Sequence, residues 1–200
     1  MNSTNYADLQ NALFFKRKGM ALWFTGLSGS GKTTLAKGFH TRLRDKNIFS
    51  VILDGDELRK GINAQLGFTP EDRAENIRRI AEIAKIIVDN GIVCLVSTIS
   101  PYPKLRSDAR EIIGDRFFTE IFINAPLSVC EERDVKGLYK RARDKAIPDF
   151  TGIQDKYIPP GNPDLEIRTD LLSEAESIEL MFSWFRQKII LSPVPDNNFN

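Results

Sequence analysis

The segment GLSGSGKTT, residues 26–34, places Gly26, Gly31, Lys32 and Thr33 in the order G-x-x-x-x-G-K-[ST]. Each of these residue types answers a need of phosphate chemistry. Glycines, with Ser28, Gly29 and Ser30 in the same turn, let backbone N–H groups curl around phosphate oxygens; Lys32 supplies an ammonium for the β- and γ-phosphates. The Thr33 hydroxyl is a ligand for Mg²⁺, and Thr34 continues the run. A second cluster, Asp54-Gly55-Asp56, closes an apolar stretch. Carboxylates so placed can hold Mg²⁺ through its waters or accept the proton of an incoming hydroxyl. Alternatively, Asp56 simply caps a short helix over ELRKGI, residues 57–62. Arg59, Arg73 and Asn76 form a third set, suited to forked contacts with a phosphate or sulfate, and Phe68 could stack on a base. Taken singly, each of these also has a structural reading: solvated arginines, and Phe68 as a hydrophobic staple at a helix entrance.

These residues need a scaffold, and the hydrophobic pattern supplies one. MALWFT (20–25), IFSVIL (48–53), IVCLVS (92–97) and FFTEIFIN (117–124) read as strands apolar on both faces. Between them lie amphipathic helices. One follows the glycine-rich turn over 33–46 and ends near Asn47. Another is opened by Thr69-Pro70-Glu71-Asp72, an N-cap, a proline at the first helical position and acids in the first turn. It carries Ile77, Ile80, Ala81, Ala84, Ile87 and Val88 on one face and stops at Asn90-Gly91. A last helix starts at Ser173 with Glu176 completing a capping box. Buried strands alternating with helices predict an α/β fold: a doubly wound parallel sheet in a three-layer sandwich, with ligands at the carboxyl ends of the strands. Strand two is expected close to strand one, which would aim Asp54 and Asp56 at the γ-phosphate of a nucleotide. Residues 1–18 and 191–200 read as an N-terminal extension and a C-terminal tail around a domain spanning 19–190.

Composition narrows the function classes. The chain has 200 residues, 42% of them hydrophobic and 28% charged, and a net charge of +1, so no bulk field favours nucleic acid or a membrane surface. The basic run Lys16-Arg17-Lys18 is short enough to be a solvated face. No stretch reaches the roughly 18 apolar residues of a membrane span, and a cytoplasmic location is expected. Cys94 and Cys130 fall in apolar runs and are read as small core residues; one histidine, His40, leaves no His-based metal cluster or triad.

Beyond these readings, GLSGSGKTTLA, LDGDELRKGINAQLGFTPEDRAENIRRIAEIAK, STISPY, CEERDVKGLYKRAR and DFTGI resemble the adenylylsulfate kinases in order and spacing, from about residue 19 to 190. The resemblance implies a P-loop kinase that transfers the ATP γ-phosphoryl group to the 3′-hydroxyl of adenosine 5′-phosphosulfate, with Mg²⁺, and usually a homodimer. It implies Asp54 at the metal with Thr33, Lys32 at the phosphates, and Asp56 as the base. Arg59, Arg73 and Asn76 would bind the phosphosulfate and ribose, Phe68 and Phe150 would sandwich the adenine, and Ile99, Ser100 and Leu138 would be contacts. Ser100 also matches a serine treated in the family as a phosphoserine intermediate, a catalytic role that in-line transfer to a bound hydroxyl does not require. Residues 133–153 would form a mobile lid containing Gly137 and Pro148, in which Arg133 stacks on the ATP base and Lys136 reaches the substrate; on composition alone the same segment is a solvated basic loop. Three positions depart from the family pattern: Thr98 stands for a phenylalanine, Glu57 follows the second aspartate, and Ile158 replaces an acid. Two other readings are a related kinase with another nucleotide acceptor and a module that binds ATP without catalysis.

Overall fold

Residues 19–134, 136–146 and 150–191 are described by a computed structural model of the chain. The N-terminal extension with Lys16-Arg17-Lys18, the tail beyond 191 and Pro148 lie outside the described residues. The run ALWFT forms β1 (Ala21–Thr25), with every residue buried, and the glycine-rich turn leads into α1 (Lys32–Arg44). Then follow β2 (Ser50–Asp54), the single turn α2 (Gly55–Leu58), α3 (Pro70–Asp89) and β3 (Val93–Ser97). The second half is α4 (Pro103–Ile113), a 3₁₀ turn at Asp115–Phe117, β4 (Phe118–Asn124), α5 (Leu127–Arg133), α6 (Leu138–Arg143), β5 (Leu165–Arg168) and α7 (Glu174–Leu191).

The five strands make one parallel sheet in the order β2-β3-β1-β4-β5. Strand alternation sorts the central side chains into two cores. Leu22 and Phe24 of β1 pack with Leu35, Phe39, Phe182 and Phe185 from α1 and α7. Ala21 and Trp23 pack on the other face with Ile77, Ile80, Ala84 and Leu105 from α3 and α4. This is the doubly wound sandwich that the pattern predicted.

Several expectations change. β2 is an edge strand, separated from β1 by β3, so Asp54 reaches the phosphate loop from one strand further away than expected. Its faces are not both buried: Val51 is partly exposed, and Phe49, just before the strand, is 67% exposed. The short helix runs over 55–58 instead of 57–62, and its cap is Asp54, whose Oδ1 accepts from the Asp56 N–H at 2.9 Å; Asp56 is left uncommitted as a cap. The last helix includes Leu191. β5, α5 and α6 are short and gave no clear periodic signal, whereas α4 carries Leu105, Ala109, Ile112 and Ile113 at helical spacing, a signal the sequence reading passed over.

The start of α3 matches expectation, since Thr69 Oγ1 accepts from Asp72 N and Pro70 is the first helical residue. So does α7, where Ser173 and Glu176 cap each other reciprocally.

Candidate active site

The carboxyl ends of β1, β2 and β3 open into one cavity of about 830 Å³. Its walls include Ser28, Gly29, Gly31, Lys32, Thr33 and Thr34 of the phosphate loop, then Asp54, Asp56, Arg59, Phe68, Arg73 and Asn76. Ile99, Ser100, Arg133, Lys136, Leu138 and Phe150 complete the predicted set. Two predicted loop residues are absent from this lining. Gly26 and Ser30 build the loop from beneath: a Cβ on Gly26 would meet the Ile123 carbonyl oxygen at 2.3 Å, and Ser30 is fully buried. Gly31 takes φ +101°, a conformation that turns the loop into α1 and that only glycine adopts without strain.

Lys32 is 8% exposed, and its ammonium donates to the Leu27 carbonyl at 2.6 Å. Burial lowers its pKa to about 8, against the opposing pull of Asp56. Phosphate oxygens would supply the negative charge that this ammonium lacks. The Thr33 hydroxyl donates to Asp54 Oδ2 at 2.7 Å and lies 3.2 Å from Ser97 Oγ. Asp56 is ion-paired with Lys136 across the cavity.

The set expected to grip an anion is not freely solvated: Arg59 is partly buried, and Arg73 and Asn76 are buried. Arg73 and Asn76, in the first two turns of α3, are 9% and 4% exposed. Arg59 donates to the Leu66 and Gly67 carbonyls, and burial together with the nearby Arg73 charge lowers its pKa. Both guanidinium groups lie over the Phe68 ring, at 4.4 and 5.6 Å from its centre. Phe68 stays half exposed, while Asn63 donates to Asn76 Oδ1 and fixes its amide. Phe150, in contrast, is buried edge-on against Tyr139.

The sequence matches the family model for adenylylsulphate kinase over residues 18–168. The chain belongs to the adenylylsulphate kinase family. It is 52% identical over 172 residues to the adenylyl-sulfate kinase of Halothermothrix orenii, covering 86% of this chain and 92% of that one. The Mycobacterium tuberculosis APS kinase, solved in complex with AMPPNP and APS, superposes with a TM-score of 0.82 at 44% identity over 85% of this chain and 99% of its own. A hexameric APS kinase from Thiobacillus denitrificans superposes with a TM-score of 0.66 at 27% identity, over 93% of this chain and 32% of its own. The chain is thus an ATP-dependent kinase with a P-loop fold.

Within this kinase the departures from the family pattern fall unevenly. Thr98 lines the cavity, whereas Glu57 pairs with Lys60 on the surface and Ile158 lies outside the lining with 45% exposure. Sequence reasoning missed Thr169, Asp134 and Tyr139. Thr169 holds Arg133, which donates to its carbonyl at 2.6 Å, and Asp134 accepts from the first N–H groups of α6. The Tyr139 hydroxyl donates to the Ser28 carbonyl at 2.9 Å and ties α6 to the phosphate loop. Asp134 and Tyr139 fall inside the segment CEERDVKGLYKRAR, where neither residue type suggested a role, and Thr169 lies outside every segment singled out. Cys94 and Cys130 are buried and free, as expected of core residues. Among the described residues no helix is long and apolar enough to cross a membrane.

Proposed function

We propose that this kinase transfers the γ-phosphoryl group of ATP to the 3′-hydroxyl of adenosine 5′-phosphosulfate, giving 3′-phosphoadenosine 5′-phosphosulfate and ADP in sulfate assimilation. The observation that carries this reading is the single cavity in which the phosphate loop and the cluster of Arg59, Phe68, Arg73 and Asn76 face one space, with Asp54 and Asp56 on its wall. Donor and acceptor phosphates need separate cationic grips around a common reacting point, and this lining provides both.

The roles follow from the contacts. Backbone N–H groups of the loop hold the ATP phosphates, and Lys32, once drawn from the Leu27 carbonyl, reaches the β- and γ-phosphates. Arg133 stacks on the ATP adenine. Arg59, Arg73 and Asn76 hold the phosphosulfate and ribose, Phe68 and Phe150 take the acceptor adenine, and Ile99, Ser100 and Leu138 line its path. Asp56 accepts the proton of the 3′-hydroxyl, and Lys136 leaves the Asp56 pair to meet the developing charge as the lid over 133–153 shuts out water. Ser100 is a contact: its Oγ is already held by the Trp23 indole at 3.1 Å, and in-line transfer needs no phosphoenzyme.

The donor set fits Mg²⁺. Thr33 and Asp54 offer a hydroxyl and a carboxylate already in contact, the hard oxygen donors that suit this cation. Mg²⁺ is typically held in this way, by one or two carboxylates and substrate phosphates. When bound it would neutralise charge on the β- and γ-phosphates. A cytoplasmic location and a homodimer belong to the same reading, and light scattering tests the latter.

The test is ADP release with MgATP and a panel of acceptors: adenosine 5′-phosphosulfate, AMP and pyrimidine nucleotides. Turnover confined to adenosine 5′-phosphosulfate is the expected result. Turnover on another nucleotide alone, which Thr98 in the cavity wall would favour, overturns the acceptor while keeping the kinase.

A further inference from the structure

Between β3 and α4 the chain passes along the cavity as Ile99-Ser100-Pro101, and all three residues line it. Ser100 holds φ +39°, a left-handed backbone in a residue that has a side chain and is 1% exposed. Something must hold that conformation. Three successive carbonyls of this segment are each occupied by a protein donor. Ile99 O accepts from Thr25 Oγ1 at 2.7 Å, Ser100 O from Arg106 Nη1 at 2.9 Å, and Pro101 O from the Ile158 N–H at 2.9 Å. The donors are themselves braced. Thr25 Oγ1 is 3.0 Å from the Tyr157 hydroxyl, and Arg106 Nε lies 2.6 Å from Glu120 Oε1 in a pair whose side chains are 5% and 13% exposed. None of Thr25, Arg106, Glu120 and Tyr157 lines the cavity.

A buried arginine–glutamate pair is a poor device for stability alone, because desolvation offsets its Coulomb gain. Its geometry has another consequence. Carbonyl oxygens carry partial negative charge, and any of these three turned into the cavity would repel an anionic ligand. We propose that Arg106, oriented by Glu120, acts with Thr25 and Tyr157 to position the Ile99–Pro101 wall of the acceptor site, keeping its carbonyls turned away from a negatively charged nucleotide. These are positioning residues, since they act through the wall and touch no substrate. The inference rests on the acceptor site given above.

The experiment is steady-state kinetics on Thr25→Val, Tyr157→Phe, Arg106→Met and Arg106→Lys, with KM measured separately for MgATP and adenosine 5′-phosphosulfate and Tm recorded for each variant. Thr25→Val and Arg106→Met should raise the acceptor KM about tenfold, the scale of one lost buried hydrogen bond, and leave the ATP KM within about twofold. Arg106→Lys, which can still donate to Ser100 O, should recover part of the loss. Both KM values unchanged, or both rising together in proportion to a fall in Tm, would overturn the proposal. If Arg106→Met does not fold, Thr25→Val decides, because it removes one hydroxyl at nearly constant volume. Should wild type show no turnover on adenosine 5′-phosphosulfate, the acceptor reading fails by itself; the same comparison of KM values is then made on whichever panel nucleotide is phosphorylated, and decides the inference there.

Discussion

At the residue scale the two aspartates of the site differ in what they hold. Asp54 is spent on two local bonds, to the Thr33 hydroxyl and the Asp56 N–H, whereas the Asp56 carboxylate faces the cavity and meets only Lys136 among its described partners. That difference supports the proposal of Asp54 as the metal-side carboxylate and Asp56 as the base. Asp56→Asn should therefore lower kcat by about 10²- to 10⁴-fold, the usual worth of a general base, with ATP affinity retained. Near-normal kcat in that variant would overturn the assignment of Asp56 as the base. Ser100→Ala should keep turnover within about tenfold of wild type, since it loses one hydrogen bond from Trp23. Loss of activity beyond about 10⁴-fold, with the fold intact by circular dichroism, would instead mark Ser100 as a covalent carrier. Both aspartates, the loop lysine and the arginine cluster were legible from type and spacing. The burial of Arg73 and Asn76 was not, because a helix residue's exposure depends on what covers it, and here the covering comes from the 59–68 segment and from Asp155, 4.0 Å from Arg73.

At the element scale Arg73 and Asn76, proposed to grip the acceptor, sit in the first two turns of α3, so on that proposal its N-terminus matters more than its middle. Thr69→Ala removes the cap on Asp72 N and should cost about 1 kcal/mol of stability, read as a shift in the urea midpoint. It should also raise the acceptor KM while sparing that for ATP; equal effects on the two would mean that α3 is not set by its cap. Further along the helix, hydrogen bonds from Arg78 and then Arg79 hold Glu75 well below the usual carboxylate range, at about 2. A carboxylate depressed on folding contributes stability above its unfolded pKa and loses it as pH falls toward the folded value, here between about 4.5 and 2. The acid limb of Tm against pH should accordingly be shallower in Glu75→Gln than in wild type, though only modestly, because the group is exposed. Identical limbs would deny the pairing. The start and stop of α3 could be read in advance, since Thr69, Pro70 and Asn90-Gly91 act on their own backbone. α5 and α6 could not, being 7 and 6 residues long with their order drawn from Tyr139 packing into the loop region.

For the whole molecule, the sheet brings a phosphate loop after β1, a carboxylate pair after β2 and a wall after β3 to one edge, and α5 and α6 lean over them through Tyr139–Ser28, Arg133–Gly29 and Lys136–Asp56. A ligand that spans these parts must stabilise them together. MgATP at about 100 times its Kd should raise Tm by about 5–10 °C, from about 2.7 kcal/mol of linkage in a chain of this size, and should do so in Asp56→Asn as well. No shift in either protein would remove nucleotide binding from the site. By itself the sequence determined the alternation of buried strands and amphipathic helices, the phosphate loop, the caps of α3 and α7 and the types of the reacting groups, because these depend on neighbours a few residues away. Only the tertiary structure decided that β2 is an edge strand with β3 between it and β1, that β5 completes the sheet, and that Thr25, Arg106, Glu120 and Tyr157 stand behind the cavity wall. Strand order and buried polar networks join residues tens of positions apart, and neither periodicity nor spacing carries that information.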